Sequence, residues 1–361
     1  MEQILEYMKR AVKDGASDLF IVAGGPVYEK VGKEMIPISE SRILPPATEE
    51  MITWIYAQAG RSMDRYLQER DDDFSFSVAS LGRFRVNAYH QRGSMAAVIR
   101  VVAFGIPDWQ TLHIPPQVMD VAGVTHGMVL VTGTAGSGKS TTQACIIDRI
   151  NQTRSGHIVT LEDPIEYLHR NSKSIVSQRE ISIDTEDYIS ALRACLRQAP
   201  DVILLGEMRD HDTIQTAMTA AETGHLVIAT LHTKGAVNSV DRIVDAFPGV
   251  RQEQIRTQLS MVLHTVVCQQ LLPGKTGGVV PAFEIMRSGS AVRSLIRDNK
   301  THQIDNAIAA GGGEGMVSMD QSILALCREG KITPETALDY ADHPDQMRRR
   351  LGQTGLCADL R

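Results

Sequence analysis

The chain has 361 residues, of which 43% are apolar and 22% charged, a composition typical of globular proteins and unlike that of disordered ones. The formal net charge of −6 gives no overall basic signal for nucleic-acid binding. The five cysteines are scattered without a C-x-x-C pair, which argues against a zinc module and is typical of the reducing cytoplasm. No apolar run is long enough to predict a membrane-spanning helix.

The first part of the chain predicts an α+β domain. An amphipathic helix begins it, and the segments 73–78, 83–91 and 96–102 read as strands of a half-exposed antiparallel sheet, because apolar and polar residues alternate. A proline-rich stretch follows. We therefore predict a domain over residues 1–104 and a linker over residues 105–116.

The rest of the chain, residues 117–361, predicts an α/β domain with a central, mostly parallel sheet. Nearly continuous apolar strands alternate with helices, which indicates a parallel sheet covered on both faces. Helices are predicted over residues 184–198 and 212–223, and the C-terminal region is predicted to be helical after a glycine-rich turn. The predicted strands span residues 128–132, 157–162, 202–205 and 225–231.

A phosphate-binding loop follows the first of these strands. The segment "GTAGSGKSTT", residues 133–142, matches G-x-x-x-x-G-K-[ST] and leads into a helix. Its backbone N–H groups and the positive end of the helix suit a nucleotide phosphate, while Lys139 reaches the β/γ-oxygens and Ser140 ligates Mg²⁺. The predicted nucleotide-binding residues are Gly133, Thr134, Ala135, Gly136, Ser137, Gly138, Lys139, Ser140 and Thr141.

Carboxylates follow two later strands. In "DVILLGEMRD" the place where many phosphate-handling folds carry a metal-binding Asp is taken by Gly206, and Glu207 comes next. The segment "TLEDPIEY" supplies Glu162 and Asp163 at the end of another strand. Parallel strands end at one edge, so Glu162 or Asp163 could hold water or metal, and Glu207 could polarise the attacking water. The alternative for "DPIE" alone is a helix cap.

Two histidines stand at the ends of one predicted strand in "TGHLVIATLHT". His232, at the carboxyl end, is placed to sense a γ-phosphate, whereas His225 lies at the other end. A histidine at a strand end is more often structural, so this assignment depends on the neighbouring motifs.

The four segments resemble, in order and spacing, the Walker A, Asp box, Walker B and His box of the type II/IV secretion ATPase superfamily. "AVRSLIRD", residues 291–298, resembles the AIRNLIRE motif of the PilT family, the retraction motors of type IV pili, and keeps its apolar face and both arginines. The loop has Thr134 and Ala135 where the family usually has Pro-Thr. The long N-terminal domain and tetracysteine zinc insert of the extension and secretion relatives are not found in this sequence.

The resemblance implies a PAS-like first domain, a RecA-like second domain and a homohexameric ring with ATP bound between protomers. "RFRVN" is similar to the segment that supplies the arginine fingers, and Arg85 and Arg100 match those positions. It further implies an ATP- and Mg²⁺-dependent motor for pilus retraction and twitching motility. Such a motor would lie in the cytoplasm, at the inner face of the cytoplasmic membrane, against an inner-membrane platform protein, without nucleic acid or zinc.

Other functions remain open at this stage. A pilus-assembly or secretion/conjugation ATPase would use the same motifs. A non-hydrolysing, nucleotide-gated adaptor would keep the loop and lose Glu207 and the paired carboxylates, so their presence favours turnover. A DNA-dependent motor would need a basic, aromatic groove, which an acidic chain with 5% aromatic residues does not favour.

Overall fold

The computed structural model describes residues 2–102 and 105–353, and these form two compact units. The first contains the described residues up to Gly105 together with Glu166–Leu168, and the second contains Ile106–Ile165 and the residues from His169 onwards. The boundary predicted at residue 104 lies outside the described residues. Among the residues described, no helix is both long and apolar enough to cross a membrane.

The first unit is a six-stranded antiparallel sheet with three helices. The order of the strands is β3-β2-β1-β6-β5-β4, and the predicted strands over residues 73–78, 83–91 and 96–102 correspond to β4, β5 and β6. The short strands β2 and β3 were not predicted. The elements are α1 Glu2–Lys13, β1 Asp18–Ile21, β2 Tyr28–Val31, β3 Glu34–Pro37, α2 Pro45–Ala59, α3 Asp64–Glu69, β4 Asp71–Val78, β5 Gly82–Gln91 and β6 Ser94–Val102.

One face of this sheet is buried and the other is partly exposed, as the alternating sequence predicts. Phe76 of β4 lies opposite Phe84 of β5, and both are almost fully buried. Successive side chains of a strand point to opposite faces, so Arg85, the residue after Phe84, lies on the polar face. Ile4 and Met8 of α1 belong to the same core, which confirms the amphipathic reading of the first helix.

The second unit is a seven-stranded sheet flanked by helices. Its strands are β7 Gly127–Thr132, β8 His157–Glu162, β9 Ile175–Glu180, β10 Val202–Leu205, β11 Leu226–Leu231, β12 Leu263–Pro273 and β13 Val279–Arg287. Its helices are α4 Pro116–Met119, α5 Lys139–Thr153, α6 Tyr188–Cys195, α7 His211–Glu222, α8 Ala236–Asp245, α9 Gly249–Val262, α10 Ser290–Arg297, α11 Ile304–Ala310, α12 Met319–Arg328, α13 Pro334–Tyr340 and α14 Pro344–Gln353.

The order of the strands, β13-β12-β7-β11-β10-β8-β9, places the motif-bearing strands side by side. All neighbours pair in parallel except β12 and β13, which form an antiparallel pair. Every residue of β7, β10 and β11 is buried, because helices cover both faces of the sheet, and this explains the continuous apolar runs. The mostly parallel sheet is confirmed, and its strands end at one common edge.

The predicted helix over residues 184–198 is shorter than expected. It begins at Tyr188, because Asp187 acts as N-cap and accepts a hydrogen bond from the amide of Ser190 at 2.7 Å. Asp184 instead accepts from the amide of Glu180 at 2.8 Å and belongs to the preceding turn. The helix-cap alternative for "DPIE" is wrong, since no helix begins between residues 162 and 170.

Candidate active site

The phosphate loop, Gly133–Gly138, connects the end of β7 to the first residue of α5. Gly133 and Gly138 have φ angles of 145° and 87°, in the left-handed region that favours glycine. A Cβ on Gly133 would collide with the carbonyl oxygen of Gln269, and one on Gly138 would lie 2.8 Å from Nε2 of that residue. The glycines thus let the backbone pass close to β12 and turn into the helix, whose N-terminus suits an anion.

Lys139 lies at the centre of this loop. Its side chain is buried, and Nζ donates hydrogen bonds of 2.8 Å to the carbonyl oxygens of Gly133 and Thr134. The hydroxyl of Ser137 is buried without a hydrogen-bond partner among the residues described. A phosphate oxygen would supply the acceptor that Ser137 lacks and an anion for Lys139, so the loop fits a nucleotide phosphate.

His232 and Glu207 continue from Lys139 along the edge of the sheet. Nδ1 of His232 lies 3.4 Å from Nζ of Lys139, and Nε2 lies 3.2 Å from Oε1 of Glu207. Lysine can only donate, so this arrangement assigns Nδ1 as the acceptor and Nε2–H as the donor to Glu207. The other carboxylate oxygen of Glu207 accepts a 2.8 Å hydrogen bond from Nε of Arg209. Glu207 is therefore held between a histidine and an arginine.

Glu162 lies farther from the loop than the chain order suggests. Strands β11 and β10 separate β8 from β7, and at about 4.8 Å per strand Glu162 is roughly 14 Å along the sheet and Glu207 roughly 10 Å. Oε1 of Glu162 accepts from the hydroxyl of Thr160 at 2.6 Å and from Nε2 of Gln178 at 3.2 Å. These contacts direct Glu162 towards the edge strand β9 rather than towards Lys139.

The other acidic and histidine candidates occupy distinct positions. Asp163 follows Glu162 and is exposed, whereas Glu166, the third carboxylate of "TLEDPIEY", belongs to the first unit. His225 precedes β11, where Nδ1 lies 2.9 Å from the carbonyl oxygen of Ala220. His225 thus closes the end of α7, a structural position away from the edge that carries His232.

Arg85 and Arg100 lie directly opposite each other on β5 and β6 of the first unit. Arg85 pairs with Asp73 at 2.7 Å and Arg100 with Asp18 at 3.0 Å. Both side chains are considerably exposed, at 39% and 65%. The sheet therefore presents two neighbouring guanidinium groups on its polar face.

Sequence reasoning did not identify several residues that shape this site. Gln269 of β12 accepts a 2.7 Å hydrogen bond from the hydroxyl of Thr142 and contacts the loop glycines, but it is about 130 positions away and has no motif. Arg209 lies in "DVILLGEMRD", two residues after Glu207, so the sequence does contain a signal for this pair. Thr230 fixes the carbonyl of Gly206 through its hydroxyl.

A cavity of about 470 Å³ opens beside the loop. It runs from Gly133–Ser137 past Gln270 to Tyr340 at the end of α13. This volume is within the range of about 300–1,000 Å³ that small-molecule sites occupy. For a metal, the available groups are the partly buried Ser140 hydroxyl and the carboxylates at the strand ends, hard oxygen donors that suit Mg²⁺ when phosphate oxygens and water complete its shell.

Comparison with known proteins agrees with this geometry. The family "Type II/IV secretion system protein" matches residues 2–311. The type IV pilus retraction ATPase PilT of Pseudomonas aeruginosa is 41% identical over 344 residues, covering 95% of this chain and 99% of the relative. A twitching motility protein of Neisseria gonorrhoeae is 47% identical over 283 residues, 78% of this chain and 76% of the relative.

Solved structures show the same fold. A crystal structure of the pilus retraction motor PilT with bound ADP aligns with a TM-score of 0.88 and 43% identity, covering 96% of this chain and 99% of that one. The ATPase DotB of Legionella pneumophila aligns with a TM-score of 0.79 and 25% identity, covering 99% and 95%. The chain therefore belongs to the type II/IV secretion system protein family, and it is a nucleotide-binding ATPase related to the PilT retraction motors.

Proposed function

We propose that this ATPase is the homohexameric, Mg²⁺-dependent motor that drives type IV pilus retraction from the cytoplasmic side of an inner-membrane platform protein. ATP hydrolysis is supported by the contacts of His232, which lies between Lys139 of the phosphate loop and the carboxylate of Glu207. The role in pilus retraction is supported by relatives that are named for pilus retraction and twitching motility and that match most of this chain.

Each residue of the loop has a separate task in this proposal. Lys139 gives its charge to the β- and γ-phosphates in place of the two carbonyl oxygens that it now contacts. Ser140 would hold Mg²⁺, which neutralises charge on the phosphates when bound. The loop N–H groups orient the substrate, so the protein contributes mainly by positioning and electrostatics.

Glu207 is the general base of the proposed reaction. It follows β10, two strands from the phosphate loop strand, and its carboxylate is oriented by Arg209 and His232. A carboxylate held on both sides keeps the direction needed to accept a proton from water. His232 contacts both Lys139 and Glu207, so it is suited to report the presence of the γ-phosphate to the base.

Glu162 and Asp163 have a secondary role in this proposal. The hydrogen bonds of Glu162 to Thr160 and Gln178 direct it towards β9, and Asp163 is exposed next to it. Both can order water at the edge of the site. The principal proton acceptor is therefore Glu207, which lies one strand nearer the loop.

Arg85 and Arg100 act on the nucleotide of a neighbouring protomer in the proposed ring. The salt bridge between Arg85 and Asp73 joins two exposed side chains, and such a pair contributes only about 0–1 kcal/mol, so Arg85 can exchange Asp73 for phosphate at small cost. Arg100 is itself exposed, and its partner Asp18 is buried and also accepts a hydrogen bond from the hydroxyl of Ser17. The guanidinium groups of Arg85 and Arg100, supplied by the neighbouring protomer, would offset the negative charge that develops on the γ-phosphate.

A deletion strain tests the cellular function. Retraction requires that cells without the protein carry more surface pili and do not twitch, and that the intact gene restores both properties. Cells that lose their pili would instead identify an assembly ATPase. Unchanged pili and motility would contradict a role in the pilus machine.

A non-hydrolysing adaptor is the alternative from another functional class. It would not need a carboxylate held between His232 and Arg209, and Glu207 is held there at 3.2 Å and 2.8 Å. Purified protein that binds ATP without releasing phosphate would nevertheless support the adaptor and exclude the motor.

A further inference from the structure

Gly206 directly follows β10, at the place where many phosphate-handling folds carry a metal-binding Asp, and its surroundings explain why it has no side chain. Gly206 is not among the glycines with positive φ, so its backbone conformation does not require glycine. Its amide donates to the carbonyl of Leu161 at 2.8 Å, and its own carbonyl accepts from the hydroxyl of Thr230. These two hydrogen bonds hold the backbone of Gly206 in place. A side chain is therefore excluded by neighbouring atoms and not by the backbone conformation.

The hydroxyl of Tyr188 occupies that space. A Cβ on Gly206 would lie 2.8 Å from the Tyr188 oxygen, closer than any other atom around it. The backbone atoms of Leu161 and Glu162 would be next, at 3.2 Å and 3.3 Å. The tyrosine is the first residue of α6, which Asp187 caps, and its ring packs against the apolar core of the second unit. The ring is therefore anchored, and only its hydroxyl reaches the end of β10.

The charged groups that act on this hydroxyl are the carboxylates at the ends of β8 and β10, Glu162, Asp163 and Glu207, together with the guanidinium group of Arg209. Burial, followed by the charge of Asp163, raises the pKa of the Tyr188 phenol well above its usual value, so the group stays protonated and can donate. It makes no hydrogen bond to any residue that the structure describes. A partly buried donor that has no direct partner among the described residues and has carboxylates nearby is suited to a hydrogen bond through water.

We propose that Tyr188 is a positioning residue of the hydrolytic site: its hydroxyl, set against Gly206, orders the water between the carboxylates at the ends of β8 and β10. This role rests on the proposed ATP hydrolysis at this edge and adds a group that no motif contains. Phenylalanine would fill the same core position, so packing accounts for the ring but not for the oxygen. The hydroxyl supplies at this strand end a polar group that Gly206 cannot.

Tyr188→Phe isolates the hydroxyl, because the ring and its packing remain. We expect kcat for ATP to fall about three- to tenfold, the effect of one lost hydrogen bond, while KM for ATP stays within about twofold. The thermal unfolding midpoint should stay close to that of the wild type. Tyr28→Phe, a half-buried tyrosine on β2 of the first unit, is the matched control and should change none of these values.

A double-mutant cycle tests the contact with Gly206 independently. Gly206→Ala places a methyl group against the hydroxyl, so its effect on kcat should be at least about threefold smaller when Tyr188 is already phenylalanine. Equal effects in both backgrounds would show that the hydroxyl is not the obstacle and would overturn the proposal.

Glu207→Gln, measured beside these variants, distinguishes failure of the Tyr188 role from failure of the proposed hydrolytic site. Turnover that is lost in Glu207→Gln but unchanged in Tyr188→Phe would overturn the role of Tyr188 and leave the hydrolytic site intact. A wild-type protein that does not hydrolyse ATP would overturn both. A drop in kcat with unchanged KM and stability, restored when Tyr188 is reinstated, supports the positioning role.

Discussion

Replacing Glu207 with glutamine tests the role of this residue, because the change removes a negative charge and a proton acceptor but keeps the shape. The amide oxygen can still accept from Nε2 of His232, now at 3.2 Å from the carboxylate. The ion pair with Arg209 is lost. We expect ATP binding to persist, since the contacts of Lys139 with the loop do not involve Glu207.

The expected effects on stability and on turnover differ in size. Arg209 is 66% exposed, so the lost pair contributes at most about 1 kcal/mol to the free energy of unfolding. A general base contributes about 10²–10⁴-fold to rate, and a hundredfold loss corresponds to about 2.7 kcal/mol of activation free energy. The expected loss of turnover is therefore larger than the small loss of stability could cause through partial unfolding.

Steady-state phosphate release and binding of a fluorescent ATP analogue measure these two quantities separately. Glu222→Gln is the matched control, because Glu222 is an exposed glutamate at the end of α7 and the change removes the same charge from the same unit. It should leave turnover unchanged. Glu162→Gln should cost less than about tenfold, because the amide oxygen can keep the hydrogen bonds from Thr160 and Gln178. A small effect of Glu207→Gln beside a large effect of Glu162→Gln would refute the assignment.

Three further predictions concern other parts of the motor. Lys139→Ala removes the charge from the loop and should nearly abolish ATP hydrolysis while hexamers still form, so normal turnover by the purified variant would refute the loop assignment. Arg85→Ala and Arg100→Ala should each lower turnover. Mixing either protein with Glu207→Gln protein should restore some activity, because some interfaces would then combine intact halves. No recovery at any ratio, with subunit exchange demonstrated, would place the arginines in one protomer's own site. Reversing charge at Arg293 and Arg297, both exposed on α10, should leave basal hydrolysis largely intact while cells keep pili that they cannot retract, and normal twitching would show that the helix is only scaffold.

The parts of the fold that the sequence predicts are those with strong local signals. Strands β7, β8, β10 and β11 are apolar runs between turn residues. The apolar face of "AVRSLIRD" is Val292, Leu295 and Ile296, and α10 buries Val292 and Ile296 fully and Leu295 partly. The edge strand β9, "IVSQRE", mixes polar and apolar residues, since only part of it is buried, and it was not predicted. The hairpin of β12 and β13 was also not predicted.

The limits of prediction at the site come from tertiary arrangement. Chain order places β8 directly after α5, whereas the sheet inserts β11 and β10 between β7 and β8. Only this order reveals that Glu207 lies nearer the phosphate loop than Glu162. Asp187, and not Asp184, caps α6, so the helix begins at Tyr188. The sequence does not distinguish these two caps, and it therefore does not predict the contact between Tyr188 and Gly206.

The retraction speed of labelled pili, measured in living cells that carry Glu207→Gln as the only copy of the gene, tests directly whether ATP turnover drives the movement. We expect pili that extend at the normal rate and do not retract under motor power, although the variant protein is present at wild-type level and binds ATP. Powered retraction at the wild-type speed in these cells would show that ATP turnover at Glu207 does not drive the movement.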